Sequence, residues 1–103
     1  MAFQITASLL DACVLSMLAE ADTYGYELTQ KLRDSLQVSE STLYPVLRRL
    51  QGNEFLKTYD KPHMGRNRRY YAITEAGKKQ LEEFYGDWHE FRDRLDGFLG
   101  RDA

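Results

Sequence analysis

The sequence predicts a mainly α fold with one small β-hairpin, on three observations. Four stretches carry apolar residues at helical spacing. Residues 55–73 switch to the two-residue alternation of strands, on either side of a loop punctuated by Pro62 and Gly65. Residues suited to starting or stopping helices stand at the junctions between these stretches. At 103 residues there is room for one core and little else.

In the first helix Leu9, Leu10, Cys13, Val14, Met17 and Leu18 recur at helical spacing, with no Gly or Pro among them. Asp22 and Thr23 interrupt it, and either can cap a second helix, along which Tyr24, Leu28, Leu32 and Leu36 form a row four residues apart. Ser39 is a favoured N-cap for a third helix, because its hydroxyl can accept from first-turn amides that have no partner within the helix. There Leu43, Val46, Leu47 and Leu50 make one apolar stripe, while Arg48 and Arg49 point elsewhere; Gly52 and Asn53 suit its end. Phe55 to Asp60 reads as a strand and Arg69 to Ile73 as its partner, rich in β-favouring Tyr70, Tyr71 and Ile73. Lys61 to Asn67 is the loop between them. Thr74, Glu75 and Ala76 open a last helix expected to reach about Leu99 despite Gly77 and Gly86. No linker or repeat intervenes, so the expected organisation is a unit over 1–74 followed by a helix over 75–103.

Net charge is −2, but it is unevenly distributed. Residues 39–79 hold nine basic and four acidic side chains; residues 1–38 hold two and five, and residues 80–103 three and seven. A polyanion senses the field within about 10 Å, not the total, so the middle of the chain can face phosphate while both ends face away. The lone Cys13 cannot form an internal disulfide, which favours a reducing, cytoplasmic setting. Met1 to Thr6 lacks the features of a signal peptide, and no apolar run approaches the roughly 18 residues of a membrane span. Catalysis is not expected. His63 and His89 have no nucleophile at a recognisable spacing, the carboxylates are scattered, and one Cys with two separated His makes no metal site. No cofactor is expected, since no phosphate-binding glycine loop is present.

Two short helices joined by a turn, with basic residues on the second and a basic hairpin after it, make a winged helix-turn-helix. A helix fits the major groove of B-DNA, where its N-terminal side chains reach base edges. The side chains so placed are Ser39, Ser41, Thr42 and Tyr44, with Pro45 one turn in and Arg48 and Arg49 farther along. The hairpin tip, with Lys61, His63, Arg66, Asn67 and Arg68, is placed to enter the neighbouring minor groove or to grip its backbone.

Three segments then resemble the signatures of PadR-type transcriptional regulators, in the family's order. They are Tyr24-Gly25-Tyr26-Glu27-Leu28, the run from Ser41 through Tyr44, Pro45, Arg48 and Arg49 to Leu50, and the run from Gly65 through Arg66-Asn67-Arg68-Arg69-Tyr70-Tyr71 to Gly77. The resemblance implies a winged helix-turn-helix repressor that dimerises through its C-terminal helix and leaves its operator when an effector binds. With one C-terminal helix, the chain is similar to the compact subgroup that includes multidrug-sensing repressors. One position departs from the pattern. The family usually has Gly just before the first wing strand, where Glu54 stands; Gly52 or Asn53 is then expected to supply the left-handed turn and end the recognition helix one or two residues early.

Along the last helix Leu81, Phe84, Trp88, Phe91, Leu95 and Phe98 alternate at three and four residues, the seam of a helix that packs along another. This seam is the expected homodimer interface. Large rings at alternate layers suit flat apolar molecules, and in the multidrug-sensing relatives a Trp in this part of the helix stacks on planar drugs, a place matched by Trp88. Trp88, Phe84, Phe91, Cys13 and Met17 are therefore the expected effector contacts. The partners expected are double-stranded DNA with a pseudo-palindromic operator, a second copy of the chain, and a small aromatic or apolar ligand, with no membrane. Two alternatives stay open: a winged-helix protein-interaction module, and a DNA-binding repressor without a small-molecule effector.

Overall fold

A computed structural model describes residues 3–100; the outer ends of the two expected units, residues 1–2 and 101–103, lie outside them. In chain order the elements are α1 (Ala7–Glu20), β1 (Thr23–Tyr24), α2 (Gly25–Leu36), α3 (Glu40–Gly52), β2 (Leu56–His63), β3 (Arg66–Ile73) and α4 (Glu75–Leu99). The fold is mainly helical with a small antiparallel sheet, as the periodicities predict. The apolar stripes of the first three helices converge in one core. Leu15 of α1, Leu28 of α2 and Leu43 and Leu47 of α3 are almost fully buried there, and Leu56 of β2 and Leu81 of α4 close it from the other side.

The first differences lie at the α1–α2 junction. Neither Asp22 nor Thr23 caps α2, whose N-cap is Tyr24 with no side-chain bond. Thr23 and Tyr24 instead form a strand beside β3, in register with Tyr71 and Tyr70, so the hairpin becomes a three-stranded sheet in the order β1-β3-β2. The Asp22 carboxylate accepts a hydrogen bond from the Tyr59 phenol, 2.6 Å away. The hairpin strands are also longer than the alternation indicated. Pairing continues out to His63 and Arg66, leaving only Met64 and Gly65 in the turn, at φ 53° and 80°. Positive φ at both central residues matches the right-handed twist of the flanking strands, so Lys61, Pro62, His63, Arg66 and Asn67 belong to strands and not to a loop. Pro62, which has no N–H to donate, sits on the edge strand β2.

The end of α3 corrects a second expectation. The helix runs through Gly52 and does not stop early; Asn53 is its C-cap at φ −84°, and Glu54 itself takes the left-handed conformation at φ 63°. The Phe55 amide donates to the Leu50 carbonyl at 2.9 Å and the Glu54 amide to the Gln51 carbonyl at 3.0 Å. This is the paired closure of a Schellman motif, made here with Glu where Gly is the usual residue.

Thr74 then joins three elements. Its hydroxyl donates to the Glu54 carbonyl at 2.7 Å and accepts from the Gly77 amide at 3.0 Å, and its amide donates to the Phe55 carbonyl. Gly77 is required at this crossing, because a Cβ there would lie 2.3 Å from the Phe55 carbonyl oxygen. From this anchor α4 runs for 25 residues. Only its N-terminal part packs on the core, through Gly77, Leu81 and the half-buried Phe84. Leu81, expected in the dimer seam, is thus buried within its own chain, because it joins the core cluster built by α1, α2 and α3.

Candidate nucleic-acid interface

The N-terminal turn of α3 is built around Ser39. Its Oγ accepts from the Thr42 amide and lies 3.0 Å from the Ser41 hydroxyl and 2.9 Å from that of Thr42. Three hydroxyls thus converge where the helix leaves its amides unpaired and its dipole is positive, and all three residues are exposed. Tyr44 and Pro45 are exposed next to them. Because Pro45 has no N–H, the Ser41 carbonyl lacks its usual partner within the helix, and the first turn keeps an extra acceptor. An exposed surface of hydroxyls and a phenol can bond both phosphate oxygens and base edges.

The two arginines of α3 have different fates. Arg48 is exposed and makes no ion pair with any described residue. Arg49 is ion-paired through Nη2 to Oδ1 of Asp11 on α1.

In the wing, sequence reasoning missed an array of rings. Tyr59 stacks on its cross-strand partner Tyr70 at 5.5 Å, Tyr70 meets Tyr24 edge-on at 5.6 Å, and His63 leans on Tyr24 at 5.1 Å. The cations of the same sheet face rest on these rings, Lys61 over Tyr70 at 5.3 Å and Arg68 over Tyr24 at 4.8 Å. Such contacts hold a cation by the ring quadrupole while leaving its charge in place. On the opposite face Arg69 pairs with Asp60. Arg66 and Asn67 stand exposed beside the turn. The alternation of Tyr59, Lys61 and His63 along β2 was the available signal, but it extends past the point where Pro62 reads as loop. The Tyr59 phenol is raised above its ordinary pKa, first by its hydrogen bond to Asp22, so it stays a neutral donor.

Four of the five expected effector residues share one apolar cleft between α1, α2 and α4, of about 520 Å³. Cys13, Met17, Phe84 and Trp88 line it with Ile5, Leu9, Lys31, Leu36 and Tyr85. Phe91 does not line it, although its ring lies 6.4 Å from that of Trp88. Burial pushes the Cys13 thiol up, so it remains protonated at neutral pH. Beyond the cleft the expected seam is bare: Phe91, Leu95 and Phe98 are exposed. Among the described residues no group of three or more His, Cys, Asp or Glu side chains is placed to hold a metal ion, and no helix is long and apolar enough to cross a membrane.

The same arrangement recurs in known proteins. The model of the transcriptional regulator PadR-like family matches residues 14–83. A crystal structure of a Streptococcus mutans protein superimposes with a TM-score of 0.91 at 32% identity, covering 100% of both chains. That of a PadR-like transcriptional regulator from Bacillus cereus gives 0.82 at 34% identity, covering 91% of this chain and 94% of the other. An uncharacterized protein of Lysinibacillus sphaericus is 37% identical over 95 residues, 87% of each chain. A transcriptional regulator of Mycobacterium tuberculosis is 39% identical over 71 residues, 68% of this chain and 66% of its own.

Proposed function

The chain belongs to the PadR-like family of transcriptional regulators, a DNA-binding regulator and not an enzyme, and we propose that it is a homodimeric repressor released from its operator by a planar apolar ligand. The observation that carries the DNA half is the exposed hydroxyl cluster at the N-terminus of α3, Ser39, Ser41 and Thr42, followed by a wing whose cations are held on tyrosine rings. In this reading Ser41, Thr42 and Tyr44 meet base edges, Ser39, Arg48 and Lys61 meet phosphates, and Arg66, Asn67 and Arg68 reach the minor groove with His63. Two copies bind half-sites about 34 Å apart.

The effector half rests on the apolar cleft that gathers Cys13, Met17, Phe84 and Trp88. Its size suits a drug-like molecule, and the indole at its edge offers a flat stacking surface. A ligand that prefers one arrangement of the dimer helices weakens DNA binding by the factor by which DNA weakens the ligand.

Anisotropy of labelled duplexes, recovered by the protein from a randomised pool and titrated with salt, tests the first half. Several phosphate contacts give a steep linear fall of log K with log salt; flat, weak binding would favour a protein-interaction module instead. Emission from Trp88, the single tryptophan, tests the second. Quenching by acridine dyes together with loss of the duplex is expected, whereas a silent Trp88 in a folded, DNA-bound protein would leave a repressor without an effector.

A further inference from the structure

Arg49 stands among the expected DNA contacts, yet its guanidinium is already engaged. Its partner Asp11 lies 38 residues away in sequence, on a different helix. The Asp11 side chain is 16% exposed, the least of any carboxylate ion-paired among the described residues, where the others range from 40% to 86%. Screening by solvent is correspondingly weaker for this pair than for the surface pairs. Arg48, one residue earlier and turned about 100° around the helix, keeps an uncommitted charge.

We infer that Arg49 is a positioning residue: its ion pair with Asp11 holds the last turn of the recognition helix against α1 and sets the angle at which the first turn meets DNA, and Arg49 does not bind phosphate. The inference rests on the DNA-binding reading of α3. A helix anchored on core contacts alone can rock about its apolar stripe, because dispersion contacts between aliphatic groups are not directional. The stripe of α3 consists of Leu43, Val46, Leu47 and Leu50. The Arg33–Glu40 pair at the first turn, 3.7 Å long with both side chains at least 40% exposed, is a looser tie; the less exposed charge-assisted bond near the C-terminal end adds the firmer directional constraint on rotation. Asp11 is therefore a determinant of DNA affinity although it carries the wrong charge for the task.

That wrong charge makes the test decisive in sign. The probe is the labelled duplex recovered by the wild-type protein, titrated at several salt concentrations. Asp11→Asn, nearly isosteric, is expected to weaken binding about fivefold with the salt slope unchanged. Arg49→Ala is expected to do the same, and the double variant to be no weaker than either single one, since both remove one interaction. Exchanging the charges, Asp11→Arg with Arg49→Asp, is expected to recover part of the lost affinity. The inference is overturned if Arg49→Ala flattens the slope by about one contact or if Asp11→Asn tightens binding, as removing a negative charge near phosphate does. Should Arg49→Ala melt too early to be read, the sign of Asp11→Asn decides alone. Failure of the wild-type protein to bind any duplex in a salt-dependent way would fault the DNA-binding reading itself, before any variant is made.

Discussion

Glu54 holds a backbone angle, φ 63°, that costs an L-residue roughly 1–2 kcal/mol and glycine almost nothing. Its side chain is exposed, and its structural work is done by its amide and carbonyl. Glu54→Gly is therefore expected to stabilise the protein by about 0.5 kcal/mol, since the strain relieved is partly offset by the freer unfolded chain. At this size that raises the melting midpoint by roughly 2–4 °C. A lower midpoint would mean that the Glu54 side chain contributes something its exposure hides. Cys13 supplies a second expectation. Its thiol pKa is raised in the folded state, so its contribution to stability is present below the ordinary thiol pKa and is lost as pH rises through the raised value. Alkylation by iodoacetamide at neutral pH should be slow in the folded protein and fast in denaturant; rapid reaction of the folded protein would assign Cys13 a reactive role. Residues whose task is local were legible in the sequence. Ser39 caps α3 as expected and Thr74 opens α4, because a cap is decided within four residues. Thr23 does not cap because its backbone pairs with Tyr71, 48 residues downstream, and the Asp22 carboxylate is engaged by the Tyr59 phenol.

At the scale of elements, the helices followed their apolar spacing and the wing did not. Two residues are too short to show a strand's period, so Thr23 and Tyr24 read as the lead-in to α2, and Tyr24 falls in that helix's row. What decides their state is the free edge of β3, which no local pattern reveals. The wing then proves stiffer than a loop with a basic tip, since pairing runs to the turn and the cations lie on rings. Two arginines that look alike in sequence are thereby distinguished. Arg66 is exposed beside the turn, whereas Arg68 is half-buried against Tyr24. Arg66→Ala is expected to flatten the salt slope by about one contact and leave the melting midpoint in place. Arg68→Ala should also lower stability by about 0.5–1 kcal/mol through loss of the cation–π contact. Equal melting curves for the two variants would show that the ring array does not hold the wing.

At the scale of the molecule, α4 gives the chain its long dimension, 50 Å against 28 and 21 Å. The heptad-like seam was legible, but it carries no mark of where the chain's own core ends; the structure divides it after Phe84, with Leu81 inside and the rings beyond exposed. Phe84 and Trp88 belong to both the apolar cleft and the seam. Exposed rings and leucine along the distal half of a 25-residue helix, about 37 Å long, make an apolar surface that a second α4 would bury. α1 touches both α4 and the recognition helix, lining the cleft with Cys13 and Leu9 while Asp11, about 200° around the helix from either, pairs with Arg49. Leu95 lies outside both the cleft and the core, so its replacement isolates assembly from folding. Leu95→Asp is expected to give a folded monomer by light scattering, with a nearly unchanged far-ultraviolet dichroism spectrum. DNA affinity should fall by about two orders of magnitude or more, because the second half-site is no longer bound at high effective concentration. A variant that stays dimeric, or a monomer that binds the duplex as tightly as the wild type, would mean that α4 is not the helix through which two copies read DNA.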